Sequence, residues 1–256
     1  MNCFNAGKPY VRSIDHRSGR LILVTNDDGI GARGLWRLVR AAINYGTVWV
    51  VAPDGQRSAA SHSISLRDTF DVIPYESGID GVKTFSCSGT AADCVRVGFH
   101  NILPRTPDIV LSGINHGYNV GADLQYSATV GAAFEAVFLG SRAIALSEDH
   151  TSDGTITDRF LDEVLGELID QKAPERSILN VNFPGGSPEE CRGILRGRTV
   201  SRHSGFRDRY KAVEHLPGGG IRYLVDGENN YTCEEGSDKQ AILSGFISVG
   251  SAKNIS

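Results

Sequence analysis

Five short apolar stretches punctuate the first 185 residues: LILVT (21–25), TVWVVA (47–52), PDIVLSG (107–113), RAIALS (142–147) and SILNVNF (177–183). Each is too short for a buried helix and rich in β-branched side chains, the pattern of a strand covered on both faces. Between them the apolar period changes to that of a helix. GLWRLVRAAINYG (34–46) places Leu35, Leu38, Val39, Ala42 and Ile43 at helical spacing, with Gly46 as the expected C-cap. TVGAAFEAVFLG (129–140) and TDRFLDEVLGELIDQ (157–171) read as two further helices. Strands alternating with helices predict an α/β fold, a mostly parallel sheet with helices on both faces. In such a sheet ligands bind beyond the carboxyl ends of the strands. The loops of interest are therefore 26–31, 53–63 and 112–129.

The first of these loops, in LILVTNDDGIGARG (21–34), contains a literal G-x-G-x-x-G at Gly29, Gly31 and Gly34. That spacing is the fingerprint of dinucleotide binding. Asp27 and Asp28 stand where a pyrophosphate would lie. At ~4 Å and an effective dielectric of ~20, each like-charge pair costs about 4 kcal/mol. A helix N-terminus returns only about 0.3–2 kcal/mol. A hard divalent cation reverses the sign, because carboxylate oxygens bind it and it then attracts phosphate. The glycines are read as serving a tight turn. The D-x-D layout of aspartyl-nucleophile phosphatases of the haloacid dehalogenase type also fails, since residue i+2 from Asp27 is Gly29.

The other two loops supply partners. APDGQRSAASHS (52–63) offers Arg57, Ser58, Ser61 and His62, and SGINHGYNVGADLQYSAT (112–129) offers Asn115, Asn119, Asp123, Ser127 and Thr129. The latter runs straight into a helix, whose N-terminal amides and hydroxyls form an anion site. Asn26 and Asn119 are read as catalytic groups that orient phosphate or the attacking water, with loop closure as the bland alternative. Ser127 and Thr129 cradle phosphate or cap the helix, and the two uses share one geometry. His62 is either a proton donor to the leaving alkoxide or a structural histidine. Cys94 is read as a buried thiol and Asp93 as a cap or support. Arg202, His203, Arg207 and Tyr210 either reach a nucleotide or lie on a solvated hairpin.

After Pro184 glycine and asparagine split the chain into short strand-like pieces, read as β-hairpins, with AILSGFISVG (241–250) as a final strand pair. Glycine makes up 30 of 256 residues, above the usual ~7%, and clusters in the strand-end loops as tight turns require. The net charge of −4 argues against nucleic acid or an anionic membrane as partner. No run approaches the ~18 apolar residues of a membrane span. Residues 1–20 lack the apolar core of a secretory signal and are read as a disordered or appended extension. Five scattered cysteines without zinc spacing suit reduced thiols in the cytoplasm.

The segments ILVTNDDGI, APDGQRSAASHSIS, SGTAADCVRVG, PDIVLSGINHGYNVGADLQYSATVGAAFEAVFLG and NVNFPG, in this order, resemble the SurE (survival protein E) family of metal-dependent 5′/3′-nucleotidases. The likeness runs from residue 21 to about 250 and includes a tail of the G-[ST]-D…A…G-[FY]-[IV]-S-[IV] type. It departs at Ala91, where the family carries proline. The resemblance implies a three-layer Rossmann-like catalytic core over 21–184, followed by a hairpin-rich oligomerisation region over 185–256. It implies one divalent cation per subunit, Mg²⁺ or Mn²⁺, held by Asp27, Asp28, Ser58 and Asn115. The implied reaction is hydrolysis of nucleoside 5′-monophosphates, and of 3′-monophosphates in the family's wider range, by metal-bound water with Asp27 at its centre. The implied assembly is a homodimer or homotetramer through the C-terminal tail. The rival expectation is a metal-dependent nucleotide-binding module without catalysis.

Overall fold

The computed structural model describes residues 19–254, so all of the expected N-terminal extension except Gly19 and Arg20 lies outside the described residues. Arg20 is part of the fold. Its carbonyl accepts the Thr47 N–H at 2.9 Å, and its guanidinium bonds the Tyr45 carbonyl and the Asp170 carboxylate.

The chain runs β1 (Leu21–Thr25), α1 (Arg33–Ala42), β2 (Thr47–Pro53), β3 (Val72–Pro74), β4 (Lys83–Cys87) and α2 (Ala91–Val97). It continues through β5 (Ile109–His116), α3 (Ala128–Phe138), β6 (Arg142–Glu148), α4 (Thr155–Leu168) and β7 (Ser177–Phe183). The remainder is β8 (Ile194–Arg198), β9 (Phe206–Arg207), β10 (Tyr210–His215), β11 (Ile221–Val225), β12 (Glu228–Asn229), α5 (Asp238–Leu243) and β13 (Ile247–Lys253). Nine strands form one sheet in the order β3-β4-β2-β1-β5-β6-β7-β13-β8. The strands from β4 to β7 in that order pair in parallel, and β3 closes one edge antiparallel to β4.

The strand period of two divides the core. Ile22 and Val24 face a layer with α1 and α4, whereas Leu21 and Leu23 face one with α2 and α3. Along α3 the buried face is mostly alanine (Ala128, Ala132, Ala133 and Ala136), which lets that helix lie close on the sheet. From β1 the chain moves outward to β2 and β4, then returns to place β5 on the other side of β1. The carboxyl ends of β1 and β5 are thus the topological switch point, where a crevice opens.

Several expectations are corrected. Strand β5 runs on past residue 113 to His116, with an irregularity between Ser112 and Asn115, so Asn115 is on a strand end and not in a free loop. Gly46 is not the cap of α1, which ends at Ala42 with Ile43 as its C-cap. A side chain at Gly46 would meet the Arg20 carbonyl oxygen at 2.5 Å, so close approach explains this glycine. The tail is not a strand pair. Residues 238–243 are helical, and β13 lies inside the main sheet, antiparallel to β7 and parallel to β8. Both of its edges are paired within the chain. Strand β4 and helix α2 are not among the elements read from the sequence; Val95 of α2 is in the core, and Val97 and Phe99 are packed against it and partly buried. Ala91 opens α2, where the family's proline would be tolerated.

The three glycines of the G-x-G-x-x-G differ in what surrounds them. A side chain at Gly34 would meet the Ile114 carbonyl oxygen at 2.2 Å, while nothing lies within 4 Å at Gly31. Gly34→Ala is therefore expected to lower unfolding stability by about 1–3 kcal/mol through forced separation of α1 and β5. Gly31→Ala should stay within about 0.5 kcal/mol. Urea unfolding of the two variants checks this, and equal midpoints would contradict it.

Candidate functional site

Thr25 ends β1, and the next four residues make a turn closed by Asn26. Its Nδ2 donates to the Gly29 carbonyl at 3.0 Å, and its Oδ1 accepts the Gly29 N–H at 3.2 Å. Asn26 is fully buried, and both ends of its amide are committed to the loop. Gly29 has φ +101°, and a side chain there would sit 3.0 Å from the Gly55 backbone. The first two loops therefore touch glycine to glycine. Backbone bonds lock them, with Ile30 N–H donating to Pro53 and Arg57 N–H donating to the Asp27 carbonyl, both at 2.7 Å.

This turn carries two adjacent carboxylates at the carboxyl end of β1, and Asp28 lines a cavity there. Asp27 is 3% exposed, and its Oδ1 accepts a hydrogen bond from the Thr129 hydroxyl. Asp28 is half-buried, and its Oδ2 accepts the His116 N–H at 3.1 Å. Burial pushes the Asp27 carboxyl up to about 6; the Asp28 charge acts the same way, and the Thr129 hydroxyl opposes both. Neither carboxylate forms an ion pair among the described residues. A desolvated carboxylate with a second carboxylate beside it and no counter-charge calls for a cation.

Asn115 and Ser58 are each next in the chain to a residue whose backbone N–H bonds this turn, His116 and Arg57. The Asn115 amide donates to the Gly117 carbonyl at 2.8 Å, which leaves its own oxygen for another partner. Ser58, one residue from the Arg57–Asp27 bond, is exposed and accepts from Gln56 Nε2 at 2.9 Å. No group of three or more His, Cys, Asp or Glu placed for a metal occurs among the described residues. A cation here would therefore need the neutral side chains as well as the carboxylates. Two carboxylates, a carboxamide and a hydroxyl are hard oxygen donors, which fit Mg²⁺ or Mn²⁺.

The start of α3 stands beside Asp27. Ser127 is its N-cap and accepts the Val130 N–H at 3.2 Å. The Thr129 hydroxyl is turned to Asp27 and holds the carboxylate. Asn119 is 6% exposed. Its Nδ2 donates to Ser147 Oγ at 2.8 Å, its N–H donates to Asn182 Oδ1 at 2.8 Å, and its carbonyl accepts from Asn180 and Asn182. Asn180 and Asn182 were not expected here. Their signal is the N-x-N spacing in NVNF, which puts both on one face of β7.

Other expected residues lie elsewhere. His62 does not stand free over the crevice: its Nε2 lies 2.7 Å from the Glu135 carboxylate, two turns along α3 from Ser127. Cys94 is buried, and Asp93 forms a capping box with Thr90 at the start of α2. Arg202, Arg207 and Tyr210 are exposed, and His203 faces Glu234 at 3.8 Å.

Comparison with known proteins agrees with this geometry. The family model described as survival protein SurE matches residues 22–205. The 5′-nucleotidase SurE of Geobacter sulfurreducens is 40% identical over 232 residues, 89% of this chain and 86% of that protein. The protein of the same description from Chloroflexus aggregans is 40% identical over 235 residues, 89% of this chain and 90% of its own length. The crystal structure of the SurE protein from Aquifex aeolicus superposes with a TM-score of 0.78 at 32% identity, covering 92% of this chain and 94% of that one.

The raised Asp27 carboxyl has a consequence for the metal-free protein. The folded state keeps its proton up to about pH 6, whereas the unfolded chain releases it near 3.8. Between those values the folded state binds more protons, so stability falls as pH rises, by about 2–3 kcal/mol in all. Asp27→Asn should remove that fall and be the more stable form in EDTA at pH 8. Urea midpoints of both proteins between pH 4 and 8 test this, and parallel curves would refute it.

Proposed function

The chain belongs to the SurE family, and from that premise we propose that it hydrolyses nucleoside 5′-monophosphates to nucleoside and phosphate, using a divalent cation held by Asp27, Asp28, Ser58 and Asn115. The observation that carries this reading is the buried Asp27 carboxyl beside the half-buried Asp28, neither with an ion-pair partner among the described residues, set against the N-terminus of α3 at the switch point of the sheet. When bound, a hard cation offsets charge on the phosphoryl oxygens and lowers the pKa of a coordinated water. The chain's own groups supply the rest. Asn26 fixes the turn that carries both carboxylates, and the Thr129 hydroxyl sets the orientation of Asp27. The backbone N–H groups around Ser127–Thr129 receive phosphoryl oxygens. Asn119, held by Ser147, Asn180 and Asn182, presents its amide to phosphate or to the attacking water. Asp27 supports the reaction by holding charge, and water supplies the nucleophile. The nucleoside has room in a cavity of about 370 Å³ beside Asp28, lined by Arg33, Gln56, His116 and Ser152.

Two further features support the setting of this activity. No helix among the described residues is long and apolar enough to cross a membrane. The described cysteines Cys87, Cys94, Cys191 and Cys233 are free, which suits a reducing cytoplasm. We also place self-association on the β10–β11 hairpin. Every residue of both strands is exposed, with Tyr210, Val213, Tyr223, Leu224 and Val225 among them. An isolated hairpin of this kind is marginal in water, and an apolar surface of that extent seeks a partner.

Phosphate release from AMP in Mn²⁺ or Mg²⁺ should be abolished by chelation and restored on adding the ion back. Asp27→Asn should lower kcat/KM on the order of 10²-fold. A single turnover in ¹⁸O-water should label phosphate and leave the protein unlabelled; a trapped phosphoaspartate would refute attack by water. For assembly, light scattering of Val213→Glu combined with Leu224→Glu should give a smaller mass than the unaltered protein, and an unchanged mass would argue against the hairpin.

A further inference from the structure

The segment 57–65, which carries Ser58, has a backbone that its own sequence does not favour. Ala59 and Ser61 have φ of 57° and 54°, the left-handed region that glycine occupies readily and residues with a side chain do not. Such conformations persist only where the surroundings over-determine them. Here the surroundings are α2, α3 and the turn before α3. Ser61 N–H donates to the Tyr126 carbonyl at 3.0 Å, and its hydroxyl donates to the Gln125 carbonyl at 2.6 Å. The Thr90 hydroxyl donates to the Ser63 carbonyl at 2.7 Å.

The strongest anchors are two carboxylates outside the crevice. Asp93 on α2 is 2% exposed and accepts from the Ser65 N–H at 2.9 Å, the Ser65 hydroxyl at 2.7 Å and the Thr90 N–H at 3.0 Å. Glu135 on α3 is 3% exposed and takes His62 at 2.7 Å on one oxygen and Arg96 at 2.8 Å on the other. Burial raises both carboxyls, but these bonds outweigh it and hold each below the usual carboxylate range. Both are therefore ionised at neutral pH. A buried charge is costly to the fold, yet neither group faces the crevice. What they hold in common is the 57–65 strap. A third contact fixes its height. Gly131 of α3 lies so close beneath it that a side chain there would meet the Ser61 carbonyl oxygen at 2.5 Å and the His62 Cα at 2.9 Å.

We propose that Asp93 and Glu135 are positioning residues for the cation site: from α2 and α3 they clamp the 57–65 strap in its left-handed shape, and so bring Ser58 to the carboxylate pair Asp27–Asp28. This rests on the reading of Ser58 as a ligand. Arg57 N–H, bonded to the Asp27 carbonyl at 2.7 Å, is the near end of the strap, and the two carboxylates pin its far end. Release of the far end lets Ala59 and Ser61 relax to right-handed or extended backbone, and Ser58 lies between the bond that remains and the residues that move.

The test is Mn²⁺ binding to the full chain by calorimetry, without nucleotide, supported by the Mn²⁺ dependence of AMP hydrolysis. Ser58→Ala should weaken Mn²⁺ binding roughly tenfold, and Glu135→Gln and Asp93→Asn should each do so by a similar factor. Gly131→Ala raises the strap without touching a carboxylate and adds a good helix former to α3. It should weaken Mn²⁺ to the same degree, and it keeps the test open if a carboxylate variant fails to fold. In a Ser58→Ala background these changes should add less than about twofold, because they act through the same ligand. Ala59→Gly, which removes the side chain's objection to left-handed backbone, should recover part of the affinity lost in Glu135→Gln. KM for AMP at saturating Mn²⁺ should stay within about twofold in Glu135→Gln, Asp93→Asn and Gly131→Ala. If Ser58→Ala weakens Mn²⁺ while Glu135→Gln and Gly131→Ala leave it unchanged, the clamp is wrong and the ligand set stands. If Ser58→Ala has no effect, Ser58 is not a ligand, and both readings of this serine fall.

Discussion

At the carboxyl end of the central strand the fold forces two like charges together and withholds a counter-charge. Asp27 is almost wholly buried, Asp28 follows it directly, and the nearest stabilising contacts are a threonine hydroxyl and a backbone N–H. An uncompensated buried carboxylate destabilises the chain that carries it. That penalty sets the demands on everything around it. The turn must be rigid enough to keep the charges from drifting into solvent, and Asn26 meets this by bonding both faces of Gly29. The neighbouring segments carry neutral oxygens at Asn115 and Ser58, and the arginines that line the cavity beside Asp28 form no ion pair with it. A cation is the counter-charge that would relieve this penalty.

Parallel β-structure explains why such a pair is available. Strands β1 and β5 lie side by side at the centre of the sheet, and their connections leave in opposite directions. The crevice between them is open at one end and walled by loops whose backbone groups are not used in the sheet. Loops from β1, β2 and β5 meet there because those strands are neighbours, although Asp27, Ser58 and Asn115 are far apart in sequence. The alanine face of α3 completes the arrangement. A helix with bulkier side chains would stand farther from the sheet, and Thr129 could not reach Asp27 while the Ser112 hydroxyl bonds the Thr129 carbonyl at 2.7 Å.

The other layer of support is polar and lies outside the crevice. Asn119 is held by β6 and β7 through Ser147, Asn180 and Asn182. The second loop is held by α2 and α3 through Asp93 and Glu135. These contacts have a common logic. Each uses a buried polar side chain, committed on two or more sides, to fix a piece of irregular backbone that could not be fixed by a ladder of main-chain hydrogen bonds. Regular elements carry the apolar core, and a small set of asparagines and carboxylates carries the loops.

The sequence by itself determined the alternation of strand and helix, the parallel sheet, and the side of the sheet on which chemistry belongs. These follow from apolar periods of two and 3.6 and from glycine at strand ends, which are local properties. It also marked Asp27 and Asp28, because two adjacent carboxylates after an apolar strand conflict with every anion-first reading of that loop. Tertiary structure decided what no local pattern encodes. The period in TVGAAFEAV shows a helix but not that Glu135 would be buried against His62 and Arg96. The run AILSGFISVG is apolar enough for a strand pair, yet Ser237 caps a helix through its bond to Gln240 and only the second half becomes a strand. That strand enters the sheet because β7 and β8 leave a place for it. Gly34 and Gly131 look like any other glycines in a helix, and their necessity appears only when a carbonyl oxygen from a distant segment lies where a side chain would be. Periodicity is written along the chain, whereas close approach, burial of charge and strained backbone depend on which distant segment the fold brings near.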